Sequence, residues 1–115
     1  MTLRIAGPAR RDIADILRWS VEAFGPTARD RYEGLIYRAM AAITADDPAS
    51  SRDAPGIGPG IRLYHLRNSR KGNDRPQVSR PRHLLAYRRY DGDLVVVVRV
   101  LHDASDLPSR FQDGG

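Results

Sequence analysis

The stretch Arg80–Leu107, RPRHLLAYRRYDGDLVVVVRVLHDASDL, decides the fold. At its centre, Asp91-Gly92 suits the φ > 0 positions of a two-residue hairpin turn. Apolar and aromatic residues run into that turn and a valine-rich run leaves it, so a β-hairpin over Arg82–Leu101 is expected. With a two-residue turn, Tyr90 stands opposite Asp93, Tyr87 opposite Val96 and Leu85 opposite Val98. Directly paired residues share a face. One face then holds His83, Leu85, Tyr87, Val96, Val98 and Val100, the better core side. The other holds Arg82, Leu84, Ala86, Arg88, Val95, Val97, Arg99 and Leu101, which gathers three arginines on an open surface. A bulge would exchange the faces of one strand.

Upstream of the hairpin, Ile61–Arg67 alternates as another strand. Pro48–Gly60, with three prolines and three glycines, precedes it as a loop, and polar Asn68–Pro81 follows it as a second, longer loop. At the N-terminal end, Leu3–Ala6 is a short strand that stops at Gly7-Pro8. From Ala9 to Phe24 the residues Ile13, Ile16, Leu17, Val21 and Phe24 fall at helical spacing, with Trp19 off the stripe. Gly25-Pro26 ends that helix. Thr27 can cap a second one, whose stripe is Tyr32, Leu35, Ile36, Ala39, Met40 and Ile43, and which Asp47-Pro48 ends. So short a connection makes the helices antiparallel. The order is strand, helical hairpin, then three antiparallel strands. This α+β arrangement is solved by a small sheet with the helices on one face.

At 115 residues the chain is expected to be a single domain, 1–115, with one modest core. With no cysteine, it can form neither a disulfide nor a zinc–thiolate site. It has no signal-peptide core and no apolar run near the ~20 residues a membrane span needs, so a cytoplasmic, membrane-free protein is expected. The formal charge is +5, with 18 arginines against one lysine, Lys71. Arginine's planar fork suits carboxylate and phosphate partners. A GC-rich coding bias explains the same count, and an acidic partner could equally be nucleic acid or protein.

Three histidines, His65, His83 and His102, come from different strands or strand ends, without the short spacing of a metal site. No metal or cofactor is expected. His83 reads as a half-buried sheet residue. His102, where the last strand breaks, either does chemistry or caps and packs the tail. As a general acid it would need a phosphate clamp, for which Arg82 and Arg99 are candidates. Arg82, Arg88 and Arg99 either grip an acidic target or are ordinary solvated side chains. Arg70, Lys71, Arg75 and Arg80 extend the positive surface into the loop. Gly56-x-Gly58-x-Gly60 lacks the spacing of a phosphate cradle. Asp12 and Asp15 with Arg11 and Arg18 read as a solvated helix face.

The pattern Arg82-His83-Leu84-Leu85-x-Tyr87-Arg88, a short turn, a valine strand and Arg99-Val100-Leu101-His102-Asp103 resembles the ParE branch of the RelE/ParE toxin superfamily. Gly60-Ile61-Arg62-x-Tyr64-His65 is similar to that family's second strand, and the resemblance covers nearly the whole chain. It implies the toxin of a type II toxin–antitoxin pair, neutralised by a ParD-like, ribbon-helix-helix antitoxin. The ParE branch inhibits DNA gyrase by binding and has no catalytic residues to transfer; the RelE branch cleaves mRNA on the ribosome. RelE-like nucleases use clustered Lys/Arg with a C-terminal tyrosine, or a Glu–Arg–His set. Here the only glutamates, Glu22 and Glu33, lie on the helical hairpin, and no tyrosine follows Tyr90. A gyrase-binding toxin is therefore expected, with Arg82, Arg88, Arg99, His102, Asp103, Leu107 and Phe111 facing the target. No direct nucleic-acid binding on its own is expected. The alternatives are an endoribonuclease using His102, Arg82 and Arg99, or a non-toxic relative that only binds an antitoxin.

Overall fold

The computed structural model describes residues 2–45, 48–70, 80–91 and 93–107. The first strand, β1 (Thr2–Ile5), leads directly into α1 (Gly7–Phe24). Gly7-Pro8 thus opens the helix as well as ending the strand, because a proline in the first turn gives up an N–H that has no helical partner. Ala9, Ile16, Leu17 and Ser20 are buried, with Ile13 packed against the core. Val21 and Phe24, expected on the same stripe, are exposed; Phe24 instead meets Trp19 edge-on at 5.5 Å.

Gly25 joins the helices at φ 94°, a conformation open to glycine. Its N–H donates to the Val21 carbonyl, and its own carbonyl accepts from the Arg29 N–H, so one residue ends α1 and starts α2 (Pro26–Ala45). The second helix therefore begins one residue before the expected Thr27 cap. Its predicted stripe is fully buried, from Tyr32 to Ile43.

The sheet has five strands in the order β1-β5-β4-β3-β2: β2 (Arg52–Asp53), β3 (Arg62–His65), β4 (His83–Tyr90) and β5 (Leu94–His102). Neighbours from β2 to β5 run antiparallel, whereas β1 lies parallel to β5, which makes the sheet mixed. A single 3-10 turn, Leu66–Ser69, follows β3. Most of the expected loop 68–81 lies outside the described residues.

The central hairpin differs from the two-residue turn. Tyr90 pairs with Leu94, so three residues join the strands, and Asp93 takes φ 62°. That shift puts Val95 and Val97 under the helices in place of Val96 and Val98. The register then slips again between Ala86 and Tyr87, with Val98 as the extra residue, so that Leu85 pairs with Val100. The two offsets cancel in parity: Val100 and Leu101 face the sides the simple turn predicts.

The helix-side core contains Leu35, Ile36, Ile43, Leu85, Tyr87, Val95 and Val97, all fully buried. The opposite face is not open. Ala54, Ile61, Leu63, Leu84, Ala86, Leu101 and Leu107 form a second apolar cluster there, with Ile57 and Val98 against it. The Pro- and Gly-rich segment supplies its cover through compact backbone bonds, Ala54 N–H to Ile61 O at 2.8 Å and Ile57 N–H to Ala54 O at 2.9 Å.

Candidate functional site

Polar side chains concentrate at the end of the sheet where β4 begins and β5 stops. His83 and His102 are paired across the hairpin, with ring centroids 5.3 Å apart and ring planes perpendicular. His83 Nδ1 lies 2.7 Å from the buried Tyr32 hydroxyl of α2. That oxygen also accepts from the Arg82 N–H at 3.1 Å. Burial pushes the Tyr32 hydroxyl up to about 12. The same burial, reinforced by the neighbouring His102, takes His83 down to about 4. Both groups are therefore neutral at pH 7.

The Asp103 carboxylate organises the neighbouring part of this end. One oxygen accepts from Arg82 Nε at 3.1 Å and pairs with Nη2 at 3.0 Å; the other meets His65 Nε2 at 2.9 Å. Burial pushes the Asp103 carboxyl up, but the bonds from His65 and Arg82 outweigh it and hold the group below its ordinary value. His65 is lowered chiefly by its burial, against the raising effect of Asp103. Its Nδ1 accepts from the Arg67 N–H at 3.1 Å, which fixes the ring from both sides. His102 Nδ1 accepts from the backbone N–H groups of Ala104 and Ser105, and the His102 backbone N–H donates to the Asp106 carboxylate. So His102 does shape the chain that leaves the strand. Between α1 and this polar end lies a cleft of about 460 Å³, lined by Asp15, Ile16, Trp19, Arg82, His83 and His102.

The three arginines expected on one surface are not brought together. Arg82 is tied to Asp103. Arg88 donates to the Pro59 carbonyl at 2.8 Å, pinning the loop that covers the second cluster. Arg99 makes a two-pronged pair with Asp12 of α1, at 2.6 and 3.0 Å. Asp12 also accepts the Val100 N–H, so it is no solvated helix residue, whereas Asp15 does pair with Arg18. Leu107, expected to face a target, is 5% exposed and belongs to the second core cluster. Phe111, Lys71 and Arg75 lie outside the described residues. Sequence reasoning missed Tyr32, Asp15 and Trp19 as neighbours of the histidines. Tyr32 is 51 residues from His83, and nothing in local spacing reports such a contact.

The family described as ParE toxin of type II toxin-antitoxin system, parDE, matches residues 3–107. The chain belongs to the ParE toxin family. Its membership carries an antitoxin partner with it. No curated protein sequence matches it. Among solved structures it is similar to the chromosomal ParDE TA system from P. aeruginosa, with a TM-score of 0.53 and 16% identity over 89% of this chain and 95% of that one. At that identity the likeness bears on the fold, and the ParE-like architecture is common to both. No helix among the described residues is long and apolar enough to cross a membrane.

Proposed function

We propose that this chain arrests growth in the cytoplasm by binding DNA gyrase, and that a ParD-like, ribbon-helix-helix antitoxin neutralises it. The observation that carries this reading is the family match over residues 3–107. The state of the candidate chemistry supports binding over RNA cleavage. Of the set His102, Arg82 and Arg99, the two arginines are held by different carboxylates, Asp103 and Asp12. Glu33 is engaged by Arg29 and Tyr37 on its own helix, so it is not a base awaiting a substrate. We assign target binding to Arg82, Arg88, Arg99, His102 and Asp103, together with Phe111.

The test is supercoiling of relaxed plasmid by gyrase in the presence of the purified chain. Blocked supercoiling with accumulated cleaved DNA, reversed by the cognate antitoxin, is the expected result. Normal supercoiling by a sample that still binds antitoxin would sink the gyrase reading.

A further inference from the structure

We propose that the cleft between α1 and the His83/His102 end of the hairpin binds a mononucleotide, its phosphate on Arg82, His83 and His102 and its base against Trp19. This reading does not rest on gyrase binding, although the cleft shares Arg82 and His102 with the surface assigned to that target, and it involves no cleavage.

The argument starts from the ring nitrogens. Tyr32 accepts the Arg82 N–H, and we assign its own hydrogen to His83 Nδ1. His102 Nδ1 accepts from two backbone N–H groups and lies 3.1 Å from the Ser105 hydroxyl. In both rings Nδ1 is thus an acceptor, and in a neutral imidazole the hydrogen then sits on Nε2. Neither Nε2 has a partner among the described residues. Both rings line one cleft, and we take their Nε2–H groups as donors to it. A donor nitrogen repels a metal ion and attracts an oxyanion. Arg82, 52% exposed in its side chain, is held by Asp103 through Nε and Nη2, which among the described residues leaves Nη1 for the same anion. Three donors from a planar fork and two fixed rings suit phosphate oxygens.

The remaining wall says what the phosphate is attached to. Trp19 is 48% exposed and stands with Ile16 on α1, facing the same cleft. A half-exposed indole offers a planar apolar surface on which a nucleobase stacks. Asp15, one helical turn before Trp19, adds an acceptor for a base amino or ribose hydroxyl group. Its charge is offset by Arg18 at 3.4 Å. A bare phosphate would use only one side of a cleft of about 460 Å³, a volume suited to a small organic ligand.

Trp19 is the chain's one tryptophan, so its fluorescence reads this cleft directly. The experiment titrates the purified chain with a purine nucleoside 5′-monophosphate, then with the nucleoside and with inorganic phosphate. Saturable quenching is expected, with a Kd near or below about 1 mM. The nucleoside without phosphate should bind about tenfold more weakly, and Arg82→Gln should weaken the mononucleotide by a similar factor. Trp19→Leu, followed by the ring NMR signals of His83 and His102, should weaken the mononucleotide severalfold and leave inorganic phosphate unaffected. Absence of saturable quenching up to about 10 mM mononucleotide would overturn the proposal. So would a nucleoside that binds as tightly as the nucleotide, or wild-type affinity in a folded Arg82→Gln chain.

Discussion

The two faces of the sheet are built differently although both are apolar. The helix side packs long, fully buried side chains, such as Leu35, Ile43, Leu85 and Tyr87, against two regular helices. The opposite side is covered by a turn-rich segment and by Leu107, and alanines, Ala54 and Ala86, make up a larger share of its smaller cluster. Helices bring a rigid apolar stripe, whereas a loop must satisfy its own backbone groups and covers less. The first face is thus a jigsaw core, and the second is closed by a segment that can adjust.

Adjacent residues on opposite faces test this most severely. Leu85→Ala should cost about 4 kcal/mol, because the helices cannot collapse into the void, and Leu84→Ala about 2 kcal/mol, because the loop can. Urea unfolding measures both, and equal losses would break the contrast.

Acid should loosen the helix side next. His83, with its partner Tyr32, lies under α2, and its value in the folded chain is about 4 against 6.5 in an unfolded one. Between those values the unfolded state binds more protons, so stability is full above pH 6.5 and falls as the pH drops through this window. The loss approaches about 3 kcal/mol at the acid end. Asp103, held below its ordinary value, adds to the loss only at still lower pH. A urea midpoint constant from pH 7 to pH 4 would contradict the buried, neutral His83.

Asp12→Ala probes where the helix side is stitched to β5 through polar atoms. It removes the acceptor for Arg99 and for the Val100 N–H. Arg99 is half exposed and its pair is screened, so the expected cost is about 1–2 kcal/mol, most of it from the backbone group. An unchanged urea midpoint would make the clamp ornamental.

The smallest effect belongs to the loop side. Gly60 holds φ 73°, and a methyl group there would come no nearer than 3.9 Å to Arg88. Gly60→Ala should therefore cost only the backbone term, about 1 kcal/mol. A loss as large as that of Leu84→Ala would mean that this cover is as rigid as the helices.

Much of the fold was legible. The α2 stripe and the β4 alternation were fixed by period, because each buried position repeats a local spacing. The β5 alternation failed between Leu94 and Val98 because a uniform run of valines carries no mark of a bulge, and Asp91-Gly92-Asp93 fits a two- or three-residue turn equally. Pro48–Gly60 read as a plain loop because the apolar Ala54 and Ile57 sit among prolines and glycines without any period. At the candidate site, His102 and Asp103 stand at the break in β5 and Arg82 was read from the hairpin register, and the three do lie together. The intramolecular partners of Arg88 and Arg99 could not be read, because Pro59 and Asp12 lie 29 and 87 residues away.

The pairing of β1 with β5 has a consequence for the order of assembly. Among the described residues, Thr2–Ile5 finds its strand neighbour in Leu94–Val97, 92 positions further along the chain. The helical hairpin lies between β1 and β5 in the chain, so during synthesis it can coil before the partner of β1 has emerged. β1 thus waits for β5 before it is paired, and contacts so distant in sequence make that closing step the slow one.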